Sequence, residues 1–152
     1  MKPRTHPSDA PCPCGSGAPY GACCEPLLSE REAAPTAERL MRSRYTAFVL
    51  HDAHYLLRSW HSRTRPPNLN VPSDGEWLGL KVLETEAGGP HDQQGTVEFV
   101  ARYKYRGTAE RLHERSRFER EEGAWRYVDA VDFPEPATRG AARRSKSGGR
   151  PA

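Results

Sequence analysis

Thr96-Val97-Glu98-Phe99-Val100-Ala101-Arg102-Tyr103-Lys104-Tyr105 is the stretch that decides the fold. Val97, Phe99, Ala101, Tyr103 and Tyr105 fall on one side of an extended chain, and Thr96, Glu98, Arg102 and Lys104 on the other. Val100 is the one apolar residue out of step. A period of two with this many aromatic and β-branched residues predicts a strand buried on one face. Working outward, Trp77 to Glu84 reads as a strand before it, separated by the loop residues Gly88-Gly89-Pro90 and His91-Asp92. Leu112 to Arg120 reads as a third strand, Glu121-Glu122-Gly123 as a hairpin turn, and Trp125 to Val131 as a fourth strand ended by Phe133-Pro134.

Upstream of the strands the period lengthens. Leu40, Met41, Tyr45, Phe48 and Val49 recur at helical spacing after Pro35-Thr36-Ala37-Glu38, with Thr36 as N-cap and Glu38 in the first turn. Asp52 caps a second helix that lines up Tyr55, Leu56, Ser59 and Trp60 and is ended by Arg65-Pro66-Pro67. Two helices followed by four mainly antiparallel strands predict an α+β fold, with the helices packed on one face of the sheet.

The four cysteines of the chain are Cys12, Cys14, Cys23 and Cys24. A disulfide framework spreads its cysteines to join distant segments, whereas two tight pairs joined by a turn suit one metal ion. Adjacent cysteines such as Cys23 and Cys24 cannot take ordinary disulfide geometry without strain. Four thiolates favour a zinc ion in a closed tetrahedron, which is structural because it leaves no position for water. Gly15 and Gly17 let the backbone turn tightly. Their N–H groups and the Ser16 hydroxyl are candidate donors to the sulfurs.

The chain divides into a leader (1–11), a zinc knuckle (12–28), the α+β domain (29–133) and a tail (134–152) rich in Pro, Gly, Arg, Ala and Ser, which reads as disordered. The formal charge of +3 is carried by that tail, where five basic residues face only Glu135 (+4), so residues 1–133 sum to −1. Net charge is therefore weak support for nucleic acid as a partner, and none is expected. The tail's arginines, Arg139 to Arg150, are kept as a minor alternative. No apolar run approaches the ~18 residues of a membrane span, and no secretory h-region opens the chain. The cytoplasm is the expected compartment.

Within the α+β domain, Glu114 and Ser116 share the inward face of the third strand with Leu112 and Phe118. A buried carboxylate needs a partner. Arg44 is the candidate for a structural ion pair with Glu114, and Arg42 is a second choice. The same interior suggests a pocket, with Tyr45, Trp60, Tyr103 and Tyr127 as aromatic walls and Glu114, Ser116 and Asp129, with His61 or His113, as polar groups. Glu98, Arg102, Lys104, Arg115, Arg117 and Arg120 read as solvated, cross-paired sheet residues. No Walker loop, dinucleotide fingerprint, His-Glu-x-x-His or nucleophile elbow is present.

Cys12, Cys14, Gly15, Ser16, Gly17, Tyr20, Cys23 and Cys24 together resemble the SEC-C motif, a short zinc-binding element best known at the C-terminus of the bacterial preprotein translocase motor protein. Cys12 to Gly17, Ala34 to Tyr45, Tyr55 to His61 and Leu112 to Phe118 resemble the YchJ family of small bacterial proteins. That resemblance implies a main domain similar to nuclear transport factor 2 (NTF2), also described as cystatin-like: a curved sheet wrapped around helices, often around a conical pocket. It implies a fold and not an activity. The function expected is a zinc-binding, non-catalytic adaptor or binding protein that meets a protein partner through its knuckle. The alternative is a small-molecule-binding protein or enzyme that uses the interior cavity. A homodimer is left open.

Overall fold

The computed structural model describes residues 3–71 and 75–131. The expected tail and the residues closing the fourth strand lie outside them. A single 3-10 turn, Tyr20–Ala22, is followed by α1 (Glu25–Leu28), α2 (Ala37–Val49), α3 (Ala53–Arg58), β1 (Gly75–Ala87), β2 (Gln94–Tyr105), β3 (Thr108–Glu121) and β4 (Ala124–Val131). The four strands form an antiparallel meander in the order β1-β2-β3-β4.

Both expected helix starts are capped by side chains. Thr36 Oγ1 accepts from the Arg39 N–H at 3.1 Å and Asp52 Oδ1 from the Tyr55 N–H at 3.0 Å, each satisfying a donor that the helix leaves free. Glu38 adds an i,i+4 ion pair to Arg42 at 3.0 Å. The second of these helices ends at Arg58, not at Arg65-Pro66-Pro67. Pairing with the sheet sets that end. Tyr127 N–H donates to the Ser59 carbonyl and His61 N–H to the Tyr127 carbonyl, both at 2.8 Å, so residues 59–61 run along the free edge of β4. An uncovered edge would offer unpaired backbone groups to other chains.

The hairpin β2–β3 keeps one register from Gln94 opposite Glu119 to Tyr105 opposite Thr108. Its turn is Arg106-Gly107, and the β3–β4 turn is Glu122-Gly123; in both, the two central residues have positive φ (51° and 83°, 53° and 84°). That is the type I′ geometry whose twist matches the strands. β1 is less regular. Register shifts fall between Trp77 and Gly79 and between Val82 and Glu84, leaving Leu78 and Leu83 as the extra residues, both exposed.

The inner face of the sheet packs on α2. Trp77 stacks with Tyr45, Phe48 and Tyr103, at ring separations of 5.5, 5.8 and 5.4 Å. Tyr127 meets Trp60 at 5.1 Å and Phe118 at 5.9 Å. All four cysteines belong to the same buried cluster as Leu40, Met41, Tyr45, Phe99 and Phe118. The knuckle is thus part of the core and not an appendage. Gly15 lies against β1: with φ +78°, it has no side chain, and a Cβ there would stand 3.5 Å from the Leu80 carbonyl oxygen.

Candidate metal centre

The knuckle is built by short backbone contacts. Cys12 N–H donates to the Ala18 carbonyl at 3.0 Å and Gly15 N–H to the Cys12 carbonyl at 3.1 Å, closing a tight loop whose tip, Gly15-Ser16-Gly17, is exposed. Gly15 N–H is therefore spent on a carbonyl and not on a sulfur. The 3-10 turn at Tyr20–Ala22 brings the chain back, and Cys24 caps α1, a helix of four residues that is too short to show a helical period in the sequence.

The loop and the turn bring four thiols together. All four cysteines are buried and free, and their sulfurs lie within 4.8 Å of one another. Cys14 Sγ and Cys23 Sγ are 3.6 Å apart. A tetrahedron with metal–sulfur bonds near ~2.3 Å has edges of about 3.8 Å, so the donor set fits a four-thiolate metal ion. Electrostatics agree. Hydrogen bonds from the Cys12 and then the Cys24 thiols hold Cys14 far below the ordinary thiol range. The hydrogen bond to Cys14 pushes Cys12 up to about 11, and bonds to Cys12 and Cys14, together with burial, drive Cys24 far above its usual value. One negative charge can be shared among these sulfurs. A bound cation is what would let all four ionise together.

Two hydroxyls reach the sulfurs. Ser16 Oγ, expected from sequence, lies 3.1 Å from Cys23 Sγ. Thr46 was not expected. It is fully buried on α2, donates to Cys24 Sγ at 3.4 Å and lies 3.8 Å from Cys12 Sγ. Two arginines of α2 hold the knuckle backbone as well: Arg39 donates to the Cys23 carbonyl at 3.1 Å and Arg42 to the Cys14 carbonyl at 2.9 Å. Arg42 is thereby turned toward the knuckle and Glu38, and away from the role of partner to Glu114.

The expected pocket residues divide among three places. Tyr45 and Tyr103 sit on Trp77. Trp60 and Tyr127 flank the Arg44 guanidinium, whose carbon is 5.1 and 4.5 Å from their ring centroids. Arg44 is fully buried, which lowers its pKa to about 10 and leaves it charged at neutral pH. Its Nη1 donates to the Leu56 carbonyl at 2.8 Å and to Ser59 Oγ at 2.7 Å, while Nη2 has no hydrogen-bond partner among the described residues. Glu114 and Ser116 are buried together on β3, with Ser116 Oγ donating to Glu114 Oε2 at 3.3 Å, and the Glu114 charge acts on Arg44. Asp129 lies on the outer face of the sheet, where both its oxygens accept from Arg117 at 2.7 and 2.6 Å. His113 is also on that face, 2.7 Å from Glu98, and His61 Nδ1 accepts from the Arg63 N–H at 3.1 Å. A cleft of about 220 Å³ opens between the 30–34 loop, α3 and β4, with Glu30, Arg58 and Arg126 among its walls; none of the seven expected pocket residues lines it.

An α+β NTF2-like domain with a cysteine knuckle docked on its first long helix is the class that this fold and site define. The model for the SEC-C motif matches residues 10–26, and that for the middle, NTF2-like domain of YchJ matches residues 36–130. The chain belongs to the YchJ family. UPF0225 protein SCO1677 of Streptomyces coelicolor is 54% identical over 119 residues, spanning 78% of this chain and 93% of that protein. A UPF0225 protein of Chromobacterium violaceum is 50% identical, over 80% of this chain and 93% of its own length. The solution structure of RPA3114, a SEC-C motif containing protein from Rhodopseudomonas palustris, superposes with a TM-score of 0.73 at 33% identity, over 82% of this chain and all of that one. A SEC-C motif containing protein from Psychrobacter arcticus shares the fold, with a TM-score of 0.67 at 24% identity, over 84% of this chain and 86% of that one. Among the described residues no helix is long and apolar enough to cross a membrane.

Proposed function

We propose that the protein is a non-catalytic adaptor whose cysteine knuckle binds one structural zinc ion and presents a protein-contact surface. The observation that carries this reading is the closed, buried set of four sulfurs within 4.8 Å, clamped to α2 by Thr46, Arg39 and Arg42. Cys12, Cys14, Cys23 and Cys24 fill a tetrahedral shell, so the metal's role is to fix the knuckle and not to activate water. Thiolate softness favours zinc over magnesium or calcium. The Gly15-Ser16-Gly17 tip and Pro19 remain exposed around this rigid centre and supply the contact surface. Inside the domain, we read Arg44 with Glu114 as a packing device, since the described bonds of Arg44 run to Leu56 and Ser59.

Native mass spectrometry with elemental analysis tests the metal: one zinc per chain is expected, lost in the Cys23→Ser variant. Less than a tenth of an equivalent after expression with zinc would overturn it. The contact role is tested by Pro19→Arg, which leaves the ligands intact. Partners captured by the zinc-loaded wild type should be lost from this variant, and an unchanged partner set at full zinc content would end that role.

A further inference from the structure

The cleft of about 220 Å³ between the 30–34 loop, α3 and β4 shares no residue with the cysteine cluster. Part of its lining is apolar and aromatic: Leu27, Leu40, Tyr55 and Trp125. Its charged lining is Arg31, Arg58 and Arg126 against Glu30 and Glu32, a net charge of +1. Glu30 is already matched by Arg58 at 3.0 Å, with His54 at 3.6 Å. Arg126 is matched only in part. Its Nε is one of two buried side-chain nitrogens that have no hydrogen-bond partner among the described residues; the other is Arg44 Nη2. Glu121 Oε1 stands 3.9 Å from Arg126 Nε, beyond hydrogen-bond reach, and both Glu121 oxygens accept from Ser62. The two arginines meet at one wall of the cleft. Arg44 Nη1 donates at 2.7 Å to the hydroxyl of Ser59, which lines it. Burial raises the pKa of Tyr55, also in that wall, and the hydrogen bond to Ser43 and then the Arg44 and Arg126 charges act against the rise. A buried cationic donor without an acceptor is costly. Two of them at one cleft favour an acceptor that arrives from outside.

We propose that this cleft binds a small monocarboxylate with an apolar body, the carboxylate held by Arg126 and the body laid on Leu27, Leu40 and Trp125. Each part of the ligand answers a feature of the lining. A guanidinium edge matches a planar carboxylate, which accepts from two nitrogens at once. Arg44, behind the wall, adds to the positive potential without touching the ligand. One negative charge balances the net +1 of the lining, whereas a phosphate dianion exceeds it and leaves the apolar wall uncovered. A cation is disfavoured by the same charge, since Glu30 is already held by Arg58. A neutral apolar molecule would leave the Arg126 donor as it stands. At about 220 Å³ the cleft is smaller than the ~300 Å³ at which pockets for drug-sized ligands begin, so the body is short. The site lies outside the knuckle and stands whether or not the knuckle meets a protein.

The test titrates the full zinc-loaded chain with hexanoate, with hexanol as its uncharged counterpart and inorganic phosphate as its tailless one. Nuclear magnetic resonance of the tryptophan indole N–H groups locates the site. Hexanoate should bind with a dissociation constant of about 1 mM or tighter, within reach of a ligand of that size. It should move the Trp125 indole, which lines the cleft and donates to the Pro35 carbonyl at 3.3 Å, and not that of Trp77. Hexanol should bind about tenfold more weakly, and Arg126→Gln should weaken hexanoate by about tenfold, the loss of one hydrogen bond to a charged group. Ala33→Trp, at an exposed position of the lining, should block the cleft and abolish binding. Arg102→Gln removes an exposed arginine of the sheet and should leave the affinity unchanged. Melting temperatures check that each variant is folded. No saturation by about 20 mM hexanoate overturns the proposal. So does hexanol binding equally well, an equal loss in Arg102→Gln, wild-type affinity in Arg126→Gln or Ala33→Trp, or displacement of hexanoate by an equal concentration of phosphate.

Discussion

At the scale of single residues, Thr46 ties the metal centre to the domain. A buried hydroxyl costs free energy unless it is hydrogen-bonded, and Thr46 finds its partners in Cys24 at 3.4 Å and Cys12 at 3.8 Å. Its side chain therefore orients two of the four sulfurs and offsets part of the negative charge that four thiolates bring together. Thr46→Val keeps the shape and removes only the hydroxyl. Zinc affinity is expected to fall about tenfold, the lower end for loss of a group that supports metal ligands. Competition with a chromophoric chelator would measure it, with circular dichroism to confirm the fold; an affinity equal to wild type would rule out the contact as a support. Thr46 was not legible from sequence, because it stands 34 residues after Cys12 and 22 after Cys24. Ser16 was legible because it lies inside the knuckle.

At the scale of elements, α2 serves two faces. Its buried residues Leu40, Met41, Tyr45 and Phe48 meet the sheet, and Arg39, Arg42 and Thr46 meet the knuckle. The apolar face was legible from its helical period, and both caps from Thr36 and Asp52. The knuckle-facing residues were not, because charged residues on a helix look alike whether they meet water or carbonyls. The strands obey the same logic. Alternation locates β2, but the Arg106-Gly107 turn carries an arginine where Asn or Asp would have signalled it, so the start of β3 is hidden in the sequence. The charge ladder on the outer face makes a testable contribution. Hydrogen bonding to His113, and then to Arg115, lowers the Glu98 pKa below its ordinary 4.5. The folded chain therefore takes up this proton at lower pH than the unfolded chain does. The pair's stabilisation is full above about pH 4.5 and is lost as pH falls through the folded value. A part-buried pair at the sheet surface such as this one is worth about 0.5–1 kcal/mol. Unfolding free energies from urea titrations at pH 6 and pH 3.5 should differ less in Glu98→Gln than in wild type by that amount, and an identical acid dependence would show that the ladder adds nothing.

At the scale of the whole molecule, the question is whether the metal holds a local knuckle or the entire fold. An independent knuckle would carry its own small cluster of buried residues. Here the four cysteines pack in the same cluster as Leu40, Tyr45, Phe99, Trp125 and Tyr127, and Gly15 lies against the Leu80 carbonyl of β1. Loss of the ion would leave mutually repelling thiolates, or bulkier protonated thiols, inside that shared core. Free energy of metal binding is then free energy of folding for the domain as a whole. The three tryptophans make this measurable, since Trp60, Trp77 and Trp125 all lie outside the knuckle. With metal at about a thousand times its dissociation constant, binding contributes about 4 kcal/mol, which for a domain of this size corresponds to roughly 10–20 °C in melting temperature. Chelation should therefore shift the tryptophan-detected melt downward by that amount, in a single transition, together with the far-ultraviolet signal. If chelation instead frees the thiols to a labelling reagent while the tryptophan melt moves by less than about 2 °C, the knuckle unfolds alone, and the shared core does not couple it to the sheet.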